Sequence, residues 1–240
     1  MPLQSNQNTG KIILIPSFLG EDDASIICDS VKTIVHPMTE FIVENAKTAR
    51  RYLRAIGYKK NFDTEVTIRE LDKHTDQQNC ESLLQNVSKG IDCGLISEAG
   101  NPCIADPGNE IVAYAHQRNI KVVPLVGPSS ILLALISSGF NGQQFCFNGY
   151  IPIQNPERSK KIRNMESLCR GTTQIFMETP FRNQNMFDEI LKTCQDDTML
   201  CIACDLTLST QFIKSQSIKA WKKATEVHLQ KRYCIFLLSR

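Results

Sequence analysis

Short apolar runs alternate with segments of helical periodicity through the first 140 residues of this 240-residue chain. The apolar runs are typical of buried strands and end near residues 16, 44, 71, 97 and 125. Helical segments with a glycine stop follow several of them, among them 45–57, 76–90 and 129–139. Strands that alternate with helices pair in parallel, so this order predicts an α/β fold with helices on both faces of a parallel sheet.

The amino-acid composition changes after residue 140, where the stretch FNGQQFCFNGYIPIQNPERSKK is rich in Gly, Asn, Pro and Gln. Such a composition is typical of a linker. Strand-like and helix-like segments resume beyond it, with fewer strand–helix–strand units. We therefore predict two α/β domains. The first, 1–145, holds a parallel sheet, and the second comprises 146–240.

The composition is ordinary for a soluble globular protein, with 42% apolar residues, 22% charged residues and a net charge of +2. No apolar run approaches the roughly 20 residues of a membrane span, and residues 1–10 lack the pattern of a signal peptide. Most of the ten cysteines lie in apolar runs and are interpreted as buried residues of a reducing compartment. We expect a cytoplasmic protein that does not bind a membrane.

One CxxC motif, Cys201 to Cys204, lies in the probable strand TMLCIACDL. Side chains three positions apart on a strand point to opposite faces, so the two sulfurs are expected to diverge. No second CxxC and no paired histidines complete a zinc site. We predict that the chain binds no metal.

Three loops that follow predicted strands carry unusual chemistry: PSFLGEDD at 16–23, SEAGNPCIADPG at 97–108 and PLVGPSS at 124–130. Ligands of an open parallel sheet bind beyond the carboxyl ends of its strands. In the second loop, Gly100 allows a positive φ or a close backbone approach, and Pro102 and Pro107 stiffen the path. In the third, Ser129 and Ser130 stand at a helix start, where hydroxyls cap the helix or bind an anion.

The chain has neither the GxGxxG of dinucleotide-binding folds nor the GxxxxGK[ST] of a P-loop. A nucleotide-sized ligand held by the backbone of Gly- and Pro-rich loops is the remaining interpretation. Tight turns and a helix cap would explain one such loop alone. Two successive strand–loop–helix units of this kind favour a small-molecule site.

Three stretches, LISEAGNPCIADPG, KVVPLVGPSSILLALISSG and FCFNGYIP, closely resemble the tetrapyrrole-methylase superfamily of S-adenosylmethionine-dependent methyltransferases. Within it, they are most similar to the small-subunit ribosomal RNA ribose 2′-O-methyltransferases. The likeness continues more weakly at IFMETPFR and ACDLT, so it covers most of the chain. It implies two α/β domains with the cofactor in the cleft between them, a homodimer, and ribosomal RNA as the substrate.

The resemblance also implies which residues bind S-adenosylmethionine: Pro16, Gly100, Asn101, Pro102, Ile104, Ala105, Ser129, Ser130, Met177, Leu206 and Thr207. The loops presumed to face the substrate depart from the family. Glu44-Asn45-Ala46-Lys47-Thr48-Ala49 stands where the family has Glu-Asp-Thr-Arg-x-Thr, and Lys231-Arg232 stands where it has Gly-Glu. Two alternatives therefore stay open: a methylase of a tetrapyrrole or another small molecule, and a catalytically silent cofactor-binding protein.

A ribose hydroxyl must lose its proton to accept a methyl group, and Glu44 and Glu178 are the candidate bases. Glu44 ends a strand and matches the first acid of the family motif. An ion-paired or helix-capping role is the alternative for both carboxylates.

Four cations, Lys47, Arg50, Arg51 and Arg54, recur at i, i+3, i+4 and i+7 and predict one basic helix face that binds the RNA backbone. A solvated helix face is the alternative. A second basic cluster, comprising Arg158, Lys160, Lys161 and Arg163, follows the linker-like stretch.

Overall fold

The strands of the first half form one parallel sheet, as the sequence predicts. The computed structural model describes residues 9–20, 23–71, 77–224 and 227–240. The first sheet consists of β1 (Lys11–Ile15), β2 (Glu40–Val43), β3 (Thr67–Glu70), β4 (Cys93–Ile96) and β5 (Lys121–Pro124). Its strand order is β3-β2-β4-β1-β5, and every neighbouring pair is parallel. Some predicted positions lie outside the described residues: 1–8, residues 21–22 of the first loop, and residue 76 of a predicted helix.

Helices cover both faces of this sheet: α1 (Asp29–Val35), α2 (Ala46–Ala55), α3 (Gln77–Leu83) and α4 (Asn109–Gln117), with short 3-10 turns at Ala24–Ile26 and Val87–Lys89. Alternate strand residues face opposite sides, which gives two apolar cores. Ile13 packs in the cluster that holds Leu53 of α2, whereas Ile12 packs in the cluster that holds Ile111 of α4. The carboxyl edge of the sheet stays open for the loops that follow the strands.

The second half forms a mixed sheet of its own. Its elements are α5 (Ser130–Ser138), β6 (Phe145–Tyr150), α6 (Glu157–Leu168), β7 (Thr173–Met177), α7 (Asn183–Thr193), β8 (Met199–Cys204), β9 (Phe212–Ser217), α8 (Ile218–Trp221) and β10 (Cys234–Ser239). The strand order is β6-β7-β10-β8-β9, in which only the β6–β7 pair is parallel. Phe176, Phe236 and Trp221 lie in its apolar core.

The chain divides into two compact units, Met1–Pro128 and Ser129–Arg240. The division falls before α5, whereas the sequence places it after residue 145, because α5 packs on strands β8, β9 and β10 of the second unit. The stretch interpreted as a linker also holds strand β6, which pairs with β7. Its polar residues mislead because β6 is an edge strand with a register shift between Phe147 and Tyr150.

The CxxC motif lies on strand β8, as predicted. Cys204 packs in the apolar core of the second unit with its Sγ 2.8 Å from Cys234 Sγ, and Cys201 lies on the other face of the strand. Within the described residues, no group of three or more His, Cys, Asp or Glu side chains is arranged to hold a metal ion. No described helix combines the length and the apolar character needed to cross a membrane.

Candidate active site

Hydrogen bonds join the loops that follow β1 and β4 at the carboxyl edge of the first sheet. The N–H of Ser17 donates to the Gly100 carbonyl at 2.8 Å, and the Gly100 N–H donates to the Phe18 carbonyl at 3.1 Å. Ser17 Oγ also donates to the Ser97 carbonyl at 3.0 Å. Gly100 has a φ of +69°, which confirms the predicted positive φ. Its backbone polar groups are therefore used to hold the two loops together.

A second glycine brings in the loop that follows β5. A Cβ added to Gly127 would lie 2.0 Å from the Cβ of Pro16, a separation that real Cβ atoms do not reach. The Pro16 carbonyl in turn accepts a hydrogen bond from the Tyr52 hydroxyl of α2 at 2.6 Å. Pro16 is thus fixed from both sides, and three loops meet around it.

The loop beyond Gly100 is held in an uncommon conformation. Cys103 has a φ of 68° and Ala105 a φ of 63°, left-handed values that non-glycine residues rarely adopt. The backbone N–H groups of Cys103, Ile104 and Ala105 donate to no other residue within the described ranges. Ile104 is 45% exposed. Strain of this kind concentrates at functional sites, and here it presents free donors and an apolar side chain.

Asn101 and Pro102 lie in the same loop of the first unit, where Asn101 is half-buried and Pro102 is buried. The remaining predicted cofactor residues belong to the second unit. Ser129 caps α5, since its side chain accepts from the Leu132 N–H at 3.4 Å, and Ser130 is the first residue of that helix. Met177 ends β7, and Leu206 and Thr207 follow β8. Strands β7 and β8 both run antiparallel to β10, so these three residues share one edge of the second sheet. Thr207 has a φ of 73°.

A small polar pocket lies at the carboxyl ends of β2 and β4. Its volume is about 40 Å³. A water molecule requires roughly 10–15 Å³ by this measure, so the pocket admits a few waters or one small polar group. Its polar lining includes Ser17, Glu44, Asn45, Thr48, Arg51, Ser97 and Glu98.

Acidic side chains gather at this pocket. Glu44 Oε1 accepts from the Glu98 N–H at 3.1 Å, which ties the end of β2 to the end of β4. Thr48 Oγ1 of α2 donates to Glu98 Oε1 at 2.5 Å. Burial and the nearby carboxylates of Glu44 and Glu98 raise the pKa of Asp106 to about 7. This edge of the sheet therefore holds a carboxyl group that exchanges its proton near neutral pH.

Two polar groups complete the pocket. The Ser97 hydroxyl is buried and finds no hydrogen-bond partner among the described residues. Asn45 Oδ1 accepts from the N–H groups of Lys47 and Thr48 at 3.0 and 3.1 Å and so caps α2. Asn45 therefore starts the helix at the position where the resembled family has aspartate.

Glu178, the other candidate base, is committed to an ion pair in the second unit. Its Oε1 accepts from Arg182 Nη2 at 2.5 Å and from the Thr179 N–H at 2.7 Å. Burial pushes its pKa upward, but the hydrogen bonds from Arg182 and Thr179 outweigh burial and hold the pKa below its usual value. This environment is the one expected for a structural carboxylate.

The four cations of α2 are all exposed, on the face opposite the buried residues Ala49, Tyr52 and Leu53. The helix face predicted from the spacing is thus confirmed; its binding to RNA stays a prediction. The guanidinium carbons of Arg50 and Arg54 lie 5.7 and 4.3 Å from the centroid of the Phe62 ring. Arg54 also donates to the Tyr58 carbonyl at 2.7 Å. The remaining two cations are Lys47 and Arg51, of which Arg51 lines the pocket.

Sequence reasoning missed Ser97, Glu98 and Asp106 as site residues, although it singled out the loop that contains them. The signal was present. Glu44 and Glu98 directly follow two strands of a predicted parallel sheet, and the carboxyl ends of such strands meet at one edge. What the sequence does not show is that β2 and β4 are neighbours, which places these two acids side by side.

Comparison with known proteins places these features in context. A family described as Tetrapyrrole (Corrin/Porphyrin) Methylases matches residues 27–220. The chain is 28% identical over 213 residues to the ribosomal RNA small subunit methyltransferase I of Pasteurella multocida, with 89% of this chain and 72% of that protein covered. It is 30% identical over 158 residues to the protein of the same name from Vibrio cholerae, where the match covers 66% of this chain but only 54% of the relative.

A solved structure shares the fold. The crystal structure of the methyltransferase CobJ superposes with a TM-score of 0.61 at 13% identity, covering 97% of this chain and 95% of that one. At this level of identity the similarity concerns the fold alone, and it agrees with the two α/β units described above.

Proposed function

We propose that this chain, which belongs to the tetrapyrrole methylase family of S-adenosylmethionine-dependent methyltransferases, methylates a ribose 2′-hydroxyl of small-subunit ribosomal RNA. The observation that carries the proposal is the polar pocket with Glu44, Glu98 and the unpartnered Ser97 hydroxyl, beside an exposed basic helix face. The names of the relatives support the RNA substrate. This chain spans about half of the Vibrio relative, so activity and substrate are both part of the proposal.

The strained loop fits the cofactor. S-adenosylmethionine supplies a methyl group on a positively charged sulfur, which needs alignment more than activation. The N–H groups from Cys103 to Ala105, which donate to no described residue, offer hydrogen-bond donors, and Ile104 offers an apolar contact. In the proposal, Ser129, Ser130, Met177, Leu206 and Thr207 complete the cofactor site.

Glu44 is the proposed proton acceptor. When bound, S-adenosylmethionine would supply the methyl group, and the Glu44 carboxylate would accept the proton that the ribose hydroxyl loses. The Glu98 N–H holds one oxygen of that carboxylate in place. Asp106, with a pKa of about 7, can then carry the proton toward solvent near neutral pH. Glu178 is the second candidate base.

The decisive test uses labelled S-adenosylmethionine with small ribosomal particles from cells that lack the protein, and with a free tetrapyrrole in parallel. Label is expected in ribosomal RNA, at a nucleotide whose 3′ linkage resists alkaline hydrolysis, because a 2′-methoxy group cannot attack the phosphate. Label in the tetrapyrrole would overturn the RNA substrate. Cofactor binding with no transfer to either acceptor would leave a silent cofactor-binding protein.

The homodimer and the cytoplasmic location implied earlier stay predictions. Sedimentation at micromolar concentration is expected to give a dimer, and a monomer would contradict that part of the proposal. A twofold interface normally buries at least roughly 1,200 Å² in total.

A further inference from the structure

A second polar pocket, in the second unit, is rich in arginine. It has a volume of about 540 Å³ and lies where α6 and α7 end. That volume is in the range of small-ligand sites, roughly 300–1,000 Å³. Its lining residues are Arg163, Glu166, Ser167, Arg170, Thr193, Gln195 and Arg240.

Two of its arginines are uncompensated. Arg163 and Arg170 are exposed and form no ion pair or hydrogen bond with any residue of the described ranges. Arg240, by contrast, donates from Nη2 to Asp197 Oδ2 at 2.8 Å.

The one acidic side chain in the lining is already engaged. Glu166 Oε1 accepts from the Gln195 N–H at 2.7 Å and from Thr198 Oγ1 at 2.5 Å. Glu166 is buried, so its role is to hold the segment after α7 rather than to neutralise the arginines. The open side of the pocket therefore carries an excess of positive charge.

The positive charge continues along α6. Lys160, Arg163 and Ser167 follow one another at i, i+3 and i+7 on one exposed face, while Ile162 and Met165 are buried on the other. With a rise of 1.5 Å per residue, Lys160 and Ser167 stand about 10 Å apart along the axis. The cations thus form a stripe that leads into the pocket.

We propose that this surface, which we call the arginine pocket (Arg163, Arg170 and Arg240, with Lys160 on its approach), binds phosphate groups of the RNA backbone. The inference rests on the proposed function, which makes RNA the substrate. The guanidinium group presents a rigid fork of donors that matches phosphate oxygens, and two exposed arginines without a carboxylate partner among the described residues are available to bind an anion. The arginine pocket adds a phosphate contact that is separate from the α2 face.

The test compares the parent chain with the double variant Arg163→Ala/Arg170→Ala, measuring the binding of a mixed-sequence single-stranded RNA oligonucleotide. Loss of two phosphate contacts is expected to make the salt slope of log affinity shallower by about 1.4. The same slope predicts roughly 25-fold weaker binding at 0.1 M salt and nearly equal binding at 1 M. S-adenosylmethionine affinity, measured by calorimetry, should be unchanged.

Two controls accompany it. The variant Lys89→Ala/Lys121→Ala removes two exposed lysines of the first unit, at the edge of the sheet away from the loops, and should keep the parent's RNA affinity. The variant Arg163→Lys/Arg170→Lys keeps both charges and should keep the salt slope while losing part of the affinity, because lysine lacks the fork.

Each contrary outcome has a distinct meaning. A parent that binds RNA, together with an alanine variant of the same affinity and slope, overturns the arginine pocket and leaves the proposed function standing. A parent without RNA affinity overturns both. If the alanine variant loses affinity for inorganic phosphate but keeps its affinity for RNA, the pocket is a small-anion site, and the RNA assignment is overturned. Equal competition by polyglutamate would show a general anion surface and overturn phosphate recognition.

Discussion

The two sheets differ in what surrounds the acidic side chains at their edges. At the carboxyl edge of the first sheet the neighbours are other carboxylates, and at the edge of the second sheet they are arginines. In the first, burial and the nearby carboxylates of Glu44 and Glu98 raise the pKa of Asp106 to about 7. In the second, Glu178 bonds Arg182 and its pKa falls, while Asp205 accepts from Arg232 Nε at 2.7 Å. The Asp106 carboxyl group can therefore exchange its proton at neutral pH, whereas the ion pair with Arg182 favours the ionised form of Glu178.

Sheet topology explains why the two edges differ. All strands of the first sheet are parallel, so the loops after β1, β2, β4 and β5 converge at one edge. In the second sheet, antiparallel pairing brings the start of β10 between the ends of β7 and β8. Arg232, just before β10, thereby meets Asp205, just after β8. The edge of the first sheet therefore brings together the loops that hold acidic side chains, whereas the edge of the second sheet pairs its acids with arginines.

The largest expected effect comes from separating the loops of the first edge. Gly127→Ala should cost about 3 kcal/mol of unfolding free energy, because its Cβ would overlap that of Pro16. Thermal stabilisation by S-adenosylmethionine should disappear with it. Gly142→Ala is the matched control, since a Cβ there meets no atom within 4 Å. Denaturant unfolding of the two variants checks this, and equal midpoints would show that the loops do not depend on close contact.

The contrast between the two candidate bases can be measured directly. Glu44→Gln should lower turnover about 100-fold, the lower range for loss of a general base, with little change in unfolding free energy. Glu178→Gln should cost about 2 kcal/mol of stability, because it leaves the partly buried Arg182 without its charge partner. Single-turnover kinetics and denaturant unfolding of both variants show which of the two carboxylates acts as the base. The reverse pattern would move the base to the second unit.

The pKa of Asp106 predicts a stability difference that depends on pH. The folded pKa of about 7 exceeds the ordinary 3.8, so stability from this group is present below about pH 4 and is lost as pH rises through 7. Asp106→Asn removes that loss. Because Asp106 is partly exposed, we expect a gain of about 1–2 kcal/mol above pH 8 and none near pH 4. Denaturant unfolding across pH checks this, and a difference that does not vary with pH would contradict the raised pKa.

The smallest expected effect on stability concerns the basic face of α2. Arg50→Ala/Arg54→Ala should cost about 1 kcal/mol, since both guanidinium groups lie over Phe62. RNA affinity should fall for all sequences alike, with a salt slope shallower by roughly one to two units. Arg118→Ala is the control, because Arg118 lies over Tyr114 in the same unit but off this helix. An equal loss of RNA affinity in both variants would leave α2 without a specific role.

The sequence predicted those structural features that depend only on residues close together in the chain. The five strands of the first sheet, the positive φ of Gly100 and the exposed cations of α2 all follow from periodicity or from single-residue chemistry. Contacts between distant segments did not follow. The approach of Gly127 to Pro16 and the pairing of Asp205 with Arg232 become visible only once loops are placed in space.

Edge positions were the hardest to recognise. Strand β6 resembles a linker because an edge strand has one neighbour and leaves many side chains exposed, so polar residues such as Asn148 are tolerated there. The division into compact units falls earlier in the chain than the predicted domain boundary for a related reason. Helix α5 follows the parallel units in sequence but packs on the strands of the later sheet.

Asn45 caps α2 without adding a negative charge next to Glu44. Asn45 starts the helix through its side-chain oxygen, and an aspartate would do the same with an added negative charge. That charge would stand next to Glu44, whose carboxylate adds to the effect of burial in raising the pKa of Asp106. An acid in place of the amide at this position would therefore add a negative charge beside Glu44 while the cap of the helix is kept.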